Sequence, residues 1–390
     1  MEHLDVAVIG GGQSGLAAAY ALRKQGLKPV MLEASGRTAG SWPHYYDSLT
    51  LFSPARYGSL PGLPFGGDPE RYPHRDEVIA YLLRYANQLD ADIRTGRRVS
   101  EVRADGDGFA LALEDGSRLT ARAVVAATGG FGQANRPALS GLDSFNGTVL
   151  HVADYRAPDP FAGQRIVVVG GGDSAVQVAT ELATHARVSL ASRAPIKWFT
   201  QRPLGGKDLH FWLKATGLDI APLGRLQRAP ATMAVIDDGR HKAALAAGAP
   251  NRRPMFTGID GSKMTWGDGT VEDIDAIVPA TGYWPDRGYL APLDAFGGQG
   301  RRLHRDGTSL TQTGLAYVGL EWQRSLSSAS LRGAGRDAER IARRPPRISP
   351  GGRRSSSPWA TGSTYVNIDA CRMPRSCRCW SRMSSPAARR

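Results

Sequence analysis

Cysteine is scarce in this sequence. Only three of the 390 residues are cysteines, and all of them, Cys371, Cys377 and Cys379, lie near the carboxyl end. Residues 1–370 therefore contain no dithiol that could relay electrons and no thiolate ligand for a metal. Cys377 and Cys379, without a second pair or nearby histidines, are a weak pattern for zinc. We expect no metal centre and no chemistry through a redox-active cysteine pair.

Long apolar runs and evenly spread excess charge are also missing. No run approaches the ~18 apolar residues of a membrane span, and the first glycine-rich motif starts too early to leave room for a signal peptide. Of the net charge of +13, the part from Leu331 onward holds +11, so the rest of the chain is nearly neutral. A nucleic-acid-binding fold would spread basic groups over a folded face. We expect a cytoplasmic protein that binds neither membrane nor nucleic acid.

Residues 345–390 show no helical or strand period. They contain nine serines, six prolines and nine arginines, a composition that predicts disorder. Two interpretations stay open for this basic tail. It is either a non-native, out-of-frame end without a role, or a segment that binds an acidic partner or a metal.

What the sequence does contain is one glycine-rich unit that occurs twice. The first copy, "LDVAVIGGGQSGLAAAYALRKQGLKPVMLEAS", predicts a strand over 4–9, a tight turn, a helix over 13–25 and a strand over 28–33. Free N–H groups at the start of such a helix favour phosphate, and a carboxylate after the second strand can accept both hydroxyls of an unphosphorylated ribose. The predicted nucleotide contacts are Gly10, Gly12, Gln13, Ser14, Gly15 and Glu33.

The second copy, "QRIVVVGGGDSAVQVATELATHARVSLASR", ends differently. Arg193 follows Gly170 by the same number of residues that separates Glu33 from Gly10. A cation at this position would bind a ribose 2′-phosphate that a carboxylate would repel. The first unit therefore suits FAD or NAD, and the second suits NADPH. The predicted contacts in the second unit are Gly170, Gly172, Asp173, Ser174, Ala175, Ser192 and Arg193.

The segments between the units predict how the chain is divided. "YPHRDEVIAYLLRYANQLD" predicts an amphipathic helix, and two strand meanders end in "ATG" at residues 127–129 and 280–282. We interpret the two "ATG" stretches as paired crossover linkers. The expected fold class is α/β, with two Rossmann-like dinucleotide-binding domains. The NADPH domain, 158–279, is inserted in an FAD domain of 1–157 and 280–344, and 345–390 form the tail.

Four spaced motifs resemble the flavin-containing monooxygenases, in particular their bacterial branch. "FNGTVLHVADYR" fits the family pattern F-x-G-x-x-x-H-x-x-x-(Y/F) through Phe145, Gly147, His151 and Tyr155. "GSW" at 40–42 resembles the flavin-contacting turn, "ATGYWPD" at 280–286 the late linker, and "GLEWQRSLSSASLRGAGRDAERIARR" the terminal helix over the flavin. The resemblance covers about residues 4–344. It implies further cofactor contacts at Ser41, Trp42, Thr128 and Gly129. We expect His151 to be a hinge or interface residue, and no catalytic side chain is assigned.

The resemblance implies a reaction. NADPH would reduce FAD, the reduced flavin would bind O₂ as a C4a-hydroperoxide, and one oxygen atom would pass to a small organic substrate. Baeyer–Villiger relatives carry Trp and Pro or Asp after the fingerprint histidine, whereas this chain has Tyr155 and Arg156, which favours a soft nitrogen or sulfur centre over ketone insertion. "LTLFSPARYGSLPG" lacks the active-site asparagine of the animal enzymes, which puts their substrate range in doubt here.

Other functions remain open at this point. A flavin oxidase or reductase that uses NADPH without oxygen insertion needs the same two nucleotide sites. A nucleotide-sensing regulator would keep the glycine motifs but would not need the fingerprint around His151. Trp198, Phe199, His210, Phe211 and Trp212 are an aromatic cluster that suits either a core or a pocket near the interface. The sequence predicts neither the substrate nor the oligomeric state.

Overall fold

The computed structural model describes residues 1–225, 234–297 and 301–343. The predicted tail, 345–390, lies outside these ranges. Six α-helices occur in the described residues: α1 (Gln13–Lys24), α2 (Arg75–Gln88), α3 (Asp173–Leu182), α4 (Leu209–Ala215), α5 (Arg240–Ala246) and α6 (Leu331–Arg343). The predicted helices after each glycine turn are α1 and α3. The amphipathic segment forms α2, which begins with a capping box between His74 and Glu77.

The strands of the described chain vary from two residues to nine. In order they are β1 (Glu2–Ile9), β2 (Pro29–Leu32), β3 (Asp92–Arg94), β4 (Val99–Asp105), β5 (Gly108–Leu113), β6 (Arg118–Ala126), β7 (Gln133–Ala134), β8 (Thr148–Val149), β9 (Arg165–Val169), β10 (Arg187–Ser192), β11 (Trp198–Thr200), β12 (Val235–Asp237), β13 (Asn251–Pro254), β14 (Phe256–Asp260), β15 (Lys263–Trp266), β16 (Val271–Asp273), β17 (Ala276–Pro279), β18 (Tyr283–Trp284), β19 (Phe296–Gly297), β20 (Arg301–Arg302), β21 (His304–Arg305), β22 (Thr308–Ser309) and β23 (Leu315–Tyr317).

The first glycine-rich unit belongs to a nine-stranded sheet in the order β21-β22-β23-β6-β1-β2-β3, with β4 and β5 joined to β6. Strands β23, β6, β1, β2 and β3 run parallel, and the predicted first meander is β4–β5–β6. Side chains of β1 alternate between two cores. Val6 and Val8 pack with α1, α2 and α6, whereas Ala7 and Ile9 pack with the meander.

The second unit belongs to a separate five-stranded sheet in the order β13-β10-β9-β17-β8. All of its pairs are parallel, and β9 is buried on both faces. The predicted second meander is divided. Its strands β15 and β16 form a small antiparallel sheet with β14, while β17 crosses into the parallel sheet. Strand β8 lies at the edge of this sheet, although it precedes residue 158 in the chain.

Two connections pass between the sheets side by side. Strands β7 and β18, which follow the two "ATG" stretches, pair antiparallel. The Asn135 side chain donates to the Thr281 carbonyl oxygen at 2.9 Å, and the Thr281 hydroxyl donates to the Asn135 carbonyl oxygen at 2.5 Å. The linkers therefore meet each other directly, between the two sheets. No helix in the described part of the chain has the length and apolarity to cross a membrane.

Candidate cofactor-binding cleft

One cavity of about 2890 Å³ is lined by both glycine turns. Parallel strands expose their carboxyl ends, and the turns after β1 and β9 both open there, where α/β sheets commonly bind ligands. The cavity also receives the residues after β2, β6, β10 and β17. Among its lining residues are Gly10, Gly12, Gln13, Ser14, Glu33, Ser41, Trp42, Thr128, Gly129, Gly170, Gly172, Asp173, Ser174, Ala175, Ser192 and Arg193. Of the predicted contacts, only Gly15 does not line the cavity.

The first glycine turn depends on close backbone approach. Gly10 has φ +106°, and a Cβ there would lie 2.8 Å from the Ala127 carbonyl oxygen. A Cβ at Gly15 would lie 1.8 Å from the Gly10 carbonyl oxygen, so α1 packs directly on the turn. Helix α1 has no side chain bonded at its N-cap, Gly12. Its first N–H groups therefore face the cavity without a side-chain acceptor, as a phosphate site requires.

The Glu33 carboxylate is fixed beside this turn. It is 6% exposed, and it accepts hydrogen bonds from the backbone N–H of Gly11 and from the N–H and hydroxyl of Ser35. Oε1 accepts both bonds from Ser35, and Oε2 accepts only the bond from Gly11, so both oxygens are oriented at the end of β2 and Oε2 retains a lone pair for a further donor. This arrangement suits a ribose hydroxyl.

A third segment, around Trp42, closes over the same turn. The Trp42 indole N–H donates to the Gln13 side-chain oxygen at 2.9 Å, and the Gln13 amide donates to the Ala329 carbonyl at 3.3 Å. A Cβ at Gly319, where φ is +92°, would lie 2.0 Å from the Ser14 hydroxyl oxygen. Gly319 was missed in the sequence, where "VGLEW" carries no obvious phosphate-binding signal. Gly319 allows the chain that follows β23 to pass close to Ser14 at the start of α1, and this close approach is visible only in the fold.

The second glycine turn is similar but more open. A Cβ at Gly170 would lie 2.4 Å from the Ala280 carbonyl oxygen, whereas a Cβ at Gly172 would meet nothing within 4 Å. The α3 N-cap, Gly172, also has no side-chain bond. Asp173 begins α3, and burial raises the pKa of its carboxyl to about 6. Its carboxyl accepts the Ile236 N–H at 3.2 Å, which holds the side chain at the wall of the cavity.

The end of β10 carries two arginines instead of one. Arg193 is exposed and lines the cavity next to the buried Ser192. Arg252, on the neighbouring strand β13, donates to the Ser192 hydroxyl oxygen at 3.2 and 3.3 Å. Sequence reasoning missed Arg252 because only the parallel pairing of β10 with β13 brings it here. The first unit thus ends in an anion and the second in a pair of cations.

His151 belongs to the linker region and not to the cavity wall. It is fully buried, its Nδ1 accepts the Ala153 N–H at 3.1 Å, and its Nε2 lies 3.4 Å from the Thr281 hydroxyl. Burial, followed by the charge of Arg136, lowers its pKa. A neutral imidazole that connects β8 with the late linker is a structural interface residue, in agreement with the hinge interpretation.

The cleft fits two nucleotides of different kinds. Two uncapped helix starts face it, and glycines stand where side chains would collide with the backbone. A carboxylate ends one unit, while Arg193 and Arg252 end the other. Within the described residues, no cluster of three or more His, Cys, Asp or Glu side chains is arranged to hold a metal.

Comparison with known proteins agrees with this geometry. A family model described as pyridine nucleotide-disulphide oxidoreductase matches residues 7–215. The CzcO-like oxidoreductase of Geobacillus kaustophilus is 29% identical over 344 residues, which are 87% of this chain and 97% of that protein. A probable indole-3-pyruvate monooxygenase of Arabidopsis thaliana is 30% identical over 313 residues, covering 71% of this chain and 74% of the relative.

A solved structure shows the same architecture over nearly its whole length. The flavin-containing monooxygenase from Stenotrophomonas maltophilia superposes with a TM-score of 0.77 and 32% identity, covering 88% of this chain and 98% of that one. Fold, cleft and relatives together define an FAD-dependent oxidoreductase with two nucleotide-binding units. The chain belongs to the pyridine nucleotide-disulphide oxidoreductases and, among them, to the flavin-containing monooxygenase family.

The comparisons confirm several expectations from the sequence. The family, the α/β fold class, and a flavin together with a pyridine nucleotide as cofactors are confirmed. A non-catalytic regulator is not supported, because the relatives are oxidoreductases and monooxygenases.

Proposed function

We propose that FAD occupies the cleft at the first glycine turn and NADPH the cleft at the second. The charge contrast between the matched strand ends carries this assignment. Glu33 favours a free ribose diol, and it would repel a 2′-phosphate. Arg193, with Arg252 behind Ser192, supplies the positive charge that a 2′-phosphate needs. The contacts of each cofactor are the predicted residues that line the cavity, with Gly319 added. Gly15 supports the first turn from behind, and Arg252 acts through the Ser192 hydroxyl.

The domain division follows from the same assignment. The FAD domain comprises 1–157 and 280–344, and the NADPH domain comprises 158–279. In support, every strand of the nine-stranded sheet falls in the first set of residues, and four strands of the five-stranded sheet fall in the second. The exception is β8, an edge strand of the second sheet that the FAD segment contributes just before the crossover.

The proposed reaction is NADPH-dependent oxygenation of a small organic substrate at a soft nitrogen or sulfur centre. When bound, FAD supplies the chemistry that accepts a hydride and activates O₂. The protein's own residues bind the phosphates at α1 and α3, orient the riboses through Glu33 and Arg193, and exclude water. Exclusion depends on the aromatic wall around Trp42, where Tyr45 and Phe131 pack edge-to-face at 6.3 Å.

Cofactor identity is tested on the purified protein. We expect yellow protein that releases FAD and not FMN on denaturation, measured by chromatography of the supernatant. Colourless protein that also fails to take up added FAD would contradict the assignment.

Oxygen transfer is tested separately. The enzyme is reduced with NADPH without air and then given ¹⁸O₂ together with a thioether. Incorporation of label into the sulfoxide supports the monooxygenase. Unreacted thioether, together with one H₂O₂ formed for each NADPH consumed, supports the second candidate, an NADPH oxidase that does not insert oxygen. This candidate stays open because it requires the same two nucleotide sites.

A further inference from the structure

A buried Asp–His pair lies at the wall of the cleft, beside Phe52 and Tyr57. Asp208 and His210 are 7% and 2% exposed, and the Nδ1 atom of His210 lies 2.8 Å from an Asp208 carboxylate oxygen. Asp208 also accepts from the hydroxyl of Tyr72 and the amide of Gln201. Although burial acts to raise the pKa of the Asp208 carboxyl, hydrogen bonds from His210, Tyr72 and Gln201 hold it below its usual range. Asp208 is therefore a carboxylate that orients the imidazole.

The imidazole of His210 lines the cavity between two aromatic side chains. Its ring centroid lies 6.0 Å from those of Phe52 and Tyr57, and Phe52 is stacked on it. Nδ1 is engaged by Asp208, and no described residue is hydrogen-bonded to Nε2. Phe52 and Phe199 line the cavity and are 41% and 54% exposed. Apolar aromatic side chains therefore surround this part of the cavity wall, to which His210 contributes a basic nitrogen.

We propose that His210, oriented by Asp208, accepts the proton of a cationic amine substrate. This inference rests on the proposed monooxygenase function, and it names both a catalytic residue and a substrate class. An amine attacks oxygen through its lone pair, but at neutral pH that pair is occupied by a proton. The proton passes from the substrate N–H to Nε2, and Asp208 balances the resulting imidazolium.

The balance of the reaction is complete. The free amine then forms an N–O bond with one atom of O₂, and the hydride of NADPH, with one proton from solvent, reduces the other atom to water. The imidazolium returns its proton to the bulk solvent when the product leaves. A thioether substrate has a free lone pair at every pH, so it does not need His210.

Other charged and titratable groups surround the pair. On the loop before α2, Arg56 and Glu70 form an ion pair, and Lys214 of α4 lies 6.0 Å above the Tyr57 ring. Arg202 is hydrogen-bonded to Tyr72. The groups that face the pair are thus Arg56, Tyr57, Glu70, Tyr72, Arg202 and Lys214. Among the described residues, Asp208 is the one that bonds the imidazole directly, so its removal is the variant that tests the coupling.

The test compares two probes of the same size, N-methylbenzylamine and benzyl methyl sulfide. In His210→Gln we expect kcat/KM for hydroxylamine formation at pH 7 to fall about 100-fold. Sulfoxide formation should stay within about threefold, and the amine deficit should shrink once pH exceeds the pKa of the free amine. Asp208→Asn retains an N-cap for α4. It should lower kcat/KM for the amine and leave sulfoxide formation within about threefold, because the imidazole loses the carboxylate that orients it.

His185→Gln, an exposed histidine outside the cleft, is the matched control and should change neither reaction. Equal losses on both probes, or no loss on the amine, would overturn the proposal, because His210 would then act through packing or not at all. Wild-type enzyme that oxygenates the sulfide but not the amine would also overturn it. Failure of the proposed function looks different: wild-type enzyme would consume NADPH and form neither product.

Discussion

At the scale of single residues, the contrast between Glu33 and Arg193 leads to a prediction about cofactor choice. A charge-assisted hydrogen bond contributes about 1.5–3 kcal/mol. Arg193→Ala should therefore raise KM for NADPH about 10- to 100-fold while KM for NADH barely changes. Steady-state kinetics with both nucleotides measures this.

Arg187→Ala is the matched control for that measurement. Arg187 is an exposed arginine at the opposite end of the same strand, β10, away from the cavity. It should leave KM for both nucleotides unchanged. Equal losses with NADPH and NADH in Arg193→Ala would show that Arg193 does not bind the phosphate.

Asp173 leads to a prediction about pH and stability. Burial raises its pKa to about 6, so the native protein keeps a proton that the unfolded chain releases near pH 4. The free energy of unfolding therefore falls as pH rises between about 4 and 6 and stays lower above this range. Asp173→Asn, which keeps an oxygen for the Ile236 N–H, should exceed wild type in stability by about 1–3 kcal/mol at pH 7.5.

Urea unfolding at two pH values tests the sign. The advantage of the Asn variant should grow by about 1 kcal/mol from pH 5 to pH 7.5. A difference that stays constant, or a less stable Asn variant at pH 7.5, would show that this carboxyl does not titrate as described.

At the scale of elements, the fit of α1 on β1 depends on the missing side chain of Gly15. Alanine is the better helix former by about 1 kcal/mol, but its Cβ would lie 1.8 Å from the Gly10 carbonyl oxygen. Overpacking of this kind costs about 1–3 kcal/mol, so Gly15→Ala should lose stability overall. It should also lower the flavin content per polypeptide, because the start of α1 is displaced from the turn.

Gly36→Ala is the control for that variant, since a Cβ at Gly36 would meet nothing within 4 Å. Its stability to urea and its flavin content should match those of wild type. Gly15→Ala protein with normal flavin content would contradict the proposed contact between the start of α1 and the cofactor.

Elements that repeat locally could be predicted from the sequence, and elements that depend on distant pairing could not. The strand, turn and helix around Gly10 and Gly170 were predicted because glycine spacing and apolar runs are local signals. Arg252 and Gly319 were missed because they approach the cofactor turns only through the pairing of β10 with β13 and of β23 with β6. The predicted aromatic cluster does not stay together: Phe199 and His210 line the cavity, whereas Trp198 packs against the core between the five-stranded sheet and α3.

At the scale of the whole molecule, the segment 201–225 joins the two halves. It leaves the second unit after β11, and it packs on the first unit at two places. Gln201 donates to the Phe52 carbonyl at 2.8 Å, and Arg324 donates to the Ile220 carbonyl at 2.9 Å. The segment carries His210, so its attachment holds that side chain at the wall of the cavity.

Asp219 attaches this segment to α6, and it is the basis of the last prediction. Its carboxylate is buried and lies 2.8 Å from Arg332 and 3.6 Å from Arg336 on α6, while its carbonyl accepts from Ser327 at 2.8 Å. Removal of one partner of a buried ion pair costs about 3–5 kcal/mol because the other charge stays buried. Asp219→Ala should therefore lower the free energy of unfolding by about that amount and raise the fraction of NADPH electrons lost to H₂O₂. Glu101→Ala, which breaks an exposed pair with Arg103, should hardly change the free energy of unfolding, because solvent screens this pair. If the two variants lose equal stability in urea and show equal H₂O₂ release, the Asp219 ion pair does not hold the cleft closed.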